Sequence, residues 1–267
     1  MPLITVSRGS KSGGEALAHL LADKLNCPNL VSREVLVRVS QESGIHEEEL
    51  FATMHETPSF LSRSTWGKRR LYLTLIRAAL LEHAVNGCMV YHGNAGQFLL
   101  QDVDWVLKVR LIAPLSLRLT ALMETQKMDV YSAKLYIQKV DEDRRRWVKY
   151  LYSESWDDPA HFDLVVNLKH VSMETAAATI CRMADSPEFE RTPERVLELA
   201  DKALAARVQA ALEAHPKTRD ADLHVRAENR AVHLSGEIKR KGLLEEITRV
   251  AAGVPGVARV ETHLTNR

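Results

Sequence analysis

Apolar and polar positions along the chain follow two rhythms. Short apolar runs at Leu3–Val6, Cys88–Tyr91, Val106–Ile112 and Phe162–Asn167 have the length of buried strands. Between them the spacing turns helical. Leu17, Leu20, Leu21 and Leu25 share one face, Arg33–Ser40 forms a second helix stopping near Gly44, and Arg70–Val85 ends at Asn86-Gly87. Leu115–Met128, the charge-crowded Ala133–Leu151 and Met173–Met183 are further helices. Strands alternating with helices predict a parallel sheet with crossover helices. The polar stretch His55–Lys68, with Pro58 and Gly67, is expected to be a mobile loop.

After Met183 the pattern changes. Asp185–Pro193 is polar, carries Pro187 and Pro193, and reads as a linker. Helix Glu194–Ala214 follows, then alternating strands Leu223–Ala227 and Ala231–Ser235 joined by a tight turn at Glu228–Arg230. Helix Lys239–Ala252 and strand Val257–Leu264 complete a small α+β module of about 80 residues. Two domains are expected, 1–187 and 188–267.

Charge narrows the function classes. The 267 residues carry 36 Lys+Arg against 35 Asp+Glu, a net +1, with 45% hydrophobic and 27% charged residues. That excludes a disordered chain and a strongly basic nucleic-acid arm. No signal peptide is read at Met1–Ser7, and the uncharged stretch His83–Gln101 is too polar to span a bilayer, so a cytoplasmic protein is expected. Cys27, Cys88 and Cys181 have no paired spacing and read as ordinary reduced thiols.

The candidate chemistry begins at Ser7-Arg8-Gly9-Ser10-Lys11-Ser12-Gly13-Gly14-Glu15-Ala16. Strand, glycine-rich loop and helix together present backbone N–H groups to a phosphate. The full G-x-x-x-x-G-K-[ST] pattern is not met. In one register Gly14 takes the lysine position and Glu15 the Ser/Thr; in the other they are Glu15 and Ala16. On this motif alone, a plain strand–helix turn weighs as much as a phosphate cradle.

Ser7-Arg8 ahead of Ser12-Gly13-Gly14, helix Ala16–Leu25 and Glu42-Ser43-Gly44-Ile45 resemble the cytidylate-kinase-like family of P-loop proteins. Cys88–Leu100, Val106–Leu119 with Ala113-Pro114 and Arg118, Ile137–Arg146, and Trp156-Asp157-Asp158-Pro159 before Phe162–Asn167 extend the resemblance over nearly all of residues 1–185. It implies a P-loop nucleoside-monophosphate-kinase-like parallel sheet with flanking helices. It also implies a nucleotide as ligand, with ATP and Mg2+ as the family's cofactors. The implied nucleotide-binding set is Arg8, Ser10, Ser12, Gly13, Gly14, Glu15, His92, Gly93, Asn94, Arg118, Arg144 and Arg145. Lys11, Arg118 and Arg144 are the catalytic candidates. Asn94 stands where the family places its acceptor arginine. His92 either partly replaces that arginine or satisfies a backbone group. Lys11 stands in for the missing lysine or is a solvated loop lysine. Asp141–Arg145 and Glu142–Arg146, each four apart, have the spacing of a salt-bridged surface helix.

Val232-His233-Leu234-Ser235-Gly236 and Gly256-Val257-Ala258-Arg259-Val260 resemble a BON domain covering Glu194–Arg267. A self-association or protein-partner role is expected there, with no nucleic acid and no transmembrane segment. Its histidines His215, His224, His233 and His263 lack metal-ligand spacing and are expected to face solvent, so no metal site is expected. The resulting expectation is a nucleotide-binding protein with weak or altered phosphoryl transfer at most. The alternative is a catalytically inactive nucleotide sensor or interaction protein acting through the BON-like domain.

Overall fold

A computed structural model describes residues 2–55, 63–238 and 242–266. Their contacts divide into two compact units. The first is Met1–Glu34, Met54–Thr57 and Gly87–Arg191; the second is Val35–Thr53, Pro58–Asn86 and Thr192–Arg267.

The first unit is built on a five-stranded sheet. Its strands are β1 (Leu3–Arg8), β2 (Leu30–Val31), β3 (Met89–Tyr91), β4 (Val106–Ile112) and β5 (Leu164–Asn167), ordered β2-β3-β1-β4-β5. Every neighbouring pair is parallel. The five residues Leu3–Ser7 of the central β1 are all buried, as a strand covered on both faces requires. Helix α1 (Gly14–Lys24) turns Leu17, Ala18 and Leu21 into the core, where Ala176, Ala177 and Ile180 of a later helix meet them.

The second unit opens with α2 (Glu34–Ser43), α3 (Glu47–His55) and α4 (Arg63–Val85); residue 34 and Met54–His55 lie in the first unit. His55 and residues 63–68, expected in a loop, are helical, and the remainder of that expected loop, 56–62, lies outside the described residues. Back in the first unit follow α5 (Gly96–Leu99), α6 (Leu115–Gln126), α7 (Val130–Tyr152) and α8 (Met173–Ala184). The segment read as a linker is packed instead. Phe189 lies in the core beside Ile180 and Ala184, and the Arg191 guanidinium sits 5.9 Å from the centre of the Trp105 ring. Phe189 and Arg191 together tie it down, with Arg191 also donating to the Gly87 carbonyl at 3.3 Å.

The C-terminal elements are α9 (Pro193–Ala214), β6 (Asp222–Glu228), β7 (Ala231–Ile238), α10 (Gly242–Ala252) and β8 (Arg259–Asn266). Strands β6 and β7 are antiparallel, and β7 and β8 parallel. Asn229 and Arg230 both have positive φ (49° and 65°), the signature of a two-residue hairpin turn. Gly236 has φ 139°, and a Cβ there would stand 2.2 Å from the Asp222 carbonyl oxygen, so the pairing with β6 admits only glycine. The compact units assign α2–α4 mainly to this half of the chain, a partition that differs from the sequence division at Pro187. Ion pairs show why: Arg70 of α4 meets Glu213 of α9 at 3.1 Å, and Glu82 of α4 meets Arg207 of α9 as well as Arg38 of α2.

The thiols differ from expectation too. Cys27 and Cys88 form a disulfide with Cα atoms 5.7 Å apart, leaving Cys181 free. A separation of 61 residues hid the pair; the sheet brings the end of α1 beside the start of β3. Among the described residues, no helix is long and apolar enough to cross a membrane.

Candidate functional site

Strand β1 delivers Arg8 to a tight loop whose turn is made by Lys11 (φ 58°) and Gly13 (φ 83°). Gly13 caps α1 without any side-chain hydrogen bond, leaving the first-turn amides to another partner. A Cβ on Gly13 would lie 2.8 Å from Met173 Cε. Ser10 and Ser12 are buried, while Lys11 and Glu15 are exposed.

Cations crowd this loop. A Cβ at Gly14 would stand 2.0 Å from Arg8 Cδ, so the Arg8 side chain lies across the first residue of α1. Its Nη1 reaches the Gly93 carbonyl at 3.5 Å. Arg144 donates to the Arg8 carbonyl at 2.9 Å, and Arg118 Nε donates to the Ser10 carbonyl at 2.6 Å. Arg118 also pairs with Asp141 at 2.5 Å, and the same carboxylate accepts the Ser10 N–H at 2.8 Å. Arg110 donates to the Trp156 carbonyl at 3.1 Å, with its guanidinium 4.5 Å from the centre of the indole. Burial, reinforced by the Arg144 charge, pushes Arg8 down to about 10. Burial lowers Arg144 as well, with Asp141 opposing and Arg118 assisting. Positive charge is therefore held here in excess of its counter-charge.

The turn after β3 is more occupied than its sequence implies. Asn94 is buried and donates to the Met54 carbonyl at 2.6 Å, while its own carbonyl accepts from the Tyr91 hydroxyl at 3.0 Å. Gln97 is 3% exposed, and neither amide atom has a hydrogen-bond partner among the described residues. His92 cannot serve as a cation near neutrality, because burial and then the Arg8 charge push it down to about 4. Unfolded, it would take a proton near pH 6.5, so its contribution to stability is complete above pH 6.5 and is lost as pH falls toward 4. Wild type is expected to lose about 1–2 kcal/mol more than His92→Gln between pH 7 and pH 5, read by urea unfolding. Equal losses would refute that assignment.

The structure brings Arg8, Ser10, Ser12, Gly13, Gly14, Gly93, Arg118 and Arg144 together. It leaves Lys11 and Glu15 exposed, and it turns Arg145 to Asp157 and Glu142 on the surface. Arg146 pairs with Glu142 as its spacing suggests, but Asp141 turns inward to the loop instead of pairing with Arg145. Asp141, Arg110 and Trp156 were not among the site residues read from sequence. The signal for Asp141 was present: Ala133, Ile137 and Asp141 recur every four residues and are all buried, so the carboxylate belongs to the inner face of α7.

A parallel sheet whose first strand feeds a glycine turn and an uncapped helix defines a P-loop kinase-like fold. The chain belongs to the cytidylate kinase-like family, whose sequence model matches residues 3–170, and carries a BON domain at residues 200–267. A solved structure of an uncharacterized protein from Eubacterium ventriosum is similar at TM-score 0.53 and 20% identity, covering 70% of this chain and 99% of that one. A shikimate kinase from Acinetobacter baumannii, in complex with shikimate, aligns at TM-score 0.41 and 11% identity over 68% of this chain and 92% of that one. Osmotically-inducible protein Y of Escherichia coli (strain K12) is 38% identical over 64 residues, 24% of this chain. The chain spans about a third (32%) of that relative's length.

Proposed function

We propose that the Ser7–Gly14 loop binds the phosphates of a nucleotide, with phosphoryl transfer weak or altered at most. The observation that carries this is the under-compensated pair Arg8 and Arg144 beside the uncapped start of α1. An anion there would accept hydrogen bonds from the backbone N–H groups at the start of α1 and relieve the like-charge repulsion. Arg8 and Arg144 are the residues assigned to the phosphates, with Arg118 shared between ligand and Asp141. Magnesium fits less well. The loop has Glu15 or Ala16 where a P-loop places its metal-binding hydroxyl, and Asp141 is already engaged by Ser10 and Arg118. No step is therefore assigned to Mg2+.

A second reading, a catalytically inactive pseudokinase sensor whose output passes through the BON domain to a protein partner, is favoured by Asn94. Its amide is spent on the Met54 carbonyl where an acceptor phosphate would need a cation. Under either reading residues 1–187 hold the nucleotide and 188–267 the interaction module. Calorimetry of the full chain with ATP, ADP and CMP, with and without Mg2+, tests this. Binding of the triphosphate that Mg2+ does not strengthen is expected, and failure of all three to bind at millimolar concentration rejects the nucleotide site. Turnover of CMP then separates the two readings.

A further inference from the structure

We propose that the outer face of the C-terminal sheet holds a transition-metal ion, bound by His233, Glu261 and His263. The strand register creates the site. His233 of β7 lies opposite Glu261 of β8, and Ser235 lies opposite His263. Side chains alternate along a strand, so Val232 and Leu234 point into the apolar core while His233 points outward. On β8, Val260 and Leu264 pack against that core, which puts Glu261 and His263 on the same outward face.

One donor atom from each of the three residues lies within 4.8 Å of the others. His233 Nδ1 and Glu261 Oε2 are 3.1 Å apart, close to the edge of about 3.3 Å that bonds of about 2.0–2.1 Å give in a tetrahedron. Arg259 Nε holds the other oxygen of Glu261 at 3.0 Å, fixing the rotation that turns Oε2 toward the imidazole. Two imidazoles and one carboxylate suit Zn2+, Co2+, Ni2+ or Cu2+, and Mg2+ or Ca2+ poorly. Arg226 is the register partner of His233 on β6. With Arg259 it adds positive charge that weakens affinity, so a moderate site is expected. The outward position leaves coordination places for water or for a donor from a partner molecule. A bound ion would also clamp the last strand to its neighbour.

The test titrates Zn2+ alone into the full chain by calorimetry and follows Co2+ by its tetrahedral visible absorption. Wild type is expected to bind one ion at this site. His233→Ala and His263→Ala should each weaken it at least tenfold with unchanged metal-free melting temperatures. Glu261→Gln provides a third, near-isosteric variant should either alanine disturb the sheet. His224→Ala, on the same face of β6 but outside the donor cluster, should bind as wild type does. No Zn2+ binding by wild type, equal binding by all three site variants, or equal affinity for Mg2+ would overturn the proposal.

Discussion

Arg8→Met is expected to weaken ATP binding by about 10- to 150-fold while leaving the protein without added nucleotide as stable as before, or more so. The two effects have one cause. The Arg8 guanidinium is pressed between the start of α1 and Gly93, with Arg144 adding a like charge. Its depressed pKa of about 10 means that folding works against its proton. An apolar side chain of similar length removes that cost. With an anion present, the same charge supplies a charge-assisted hydrogen bond of about 1.5–3 kcal/mol, which sets the expected loss of affinity. Calorimetry and thermal melting of both proteins decide the matter. If affinity is unchanged, Arg8 does not face phosphate.

Asp141→Ala is expected to destabilise the chain by about 2–4 kcal/mol, the cost of stripping a part-buried cation of its partner. Arg118 would lose its carboxylate and the Ser10 N–H its acceptor at the same time. Asp141→Asn should cost less, because an amide oxygen can still accept from Ser10. Urea unfolding of the three proteins gives the comparison. Nucleotide should stabilise Asp141→Ala by more than it stabilises wild type, since Arg118 is then free for phosphate. A loss below about 1 kcal/mol would show that Asp141 is solvated and does not organise the loop.

Much of the fold was legible because it is written in local pattern. Strand Val106–Ile112 was readable to the residue, and β1 and α1 nearly so, since a fully apolar run and a leucine stripe leave few alternatives. The hairpin turn at Asn229-Arg230 was likewise visible. What escaped was set by distance along the chain. Helix α3 starts with three consecutive glutamates and has no clean apolar stripe, and β2 is two residues long. The candidate site divides in the same way. The loop and its arginines lie in recognisable motifs, whereas Asp141 looked like one more charge in a charged helix. His233 and His263 were read as solvent-facing histidines without metal-ligand spacing, and Glu261 was not singled out, although Glu261-Thr262-His263 on a strand already places two donors on one face. Only the pairing of β7 with β8, fixed by helix α10 between them, supplies the third.

The Cys27–Cys88 bond has a topological consequence. Residues 35–53 and 63–86 belong to the second unit, and the bond joins the chain just before that excursion to the chain just after it. The excursion is thus a closed circuit. For a ring of this length the chain-entropy model gives about 4 kcal/mol of stabilisation. Where that stabilisation acts matters more than its size. Should α2 and α4 come apart, the end of α1 and the start of β3 remain fastened at 5.7 Å between Cα atoms. The bond therefore acts on the junction and not on the helices: it keeps α1 and β3 adjacent whatever becomes of α2 and α4. What still links the inserted segment to the site is the Met54 carbonyl, which Asn94 holds at 2.6 Å.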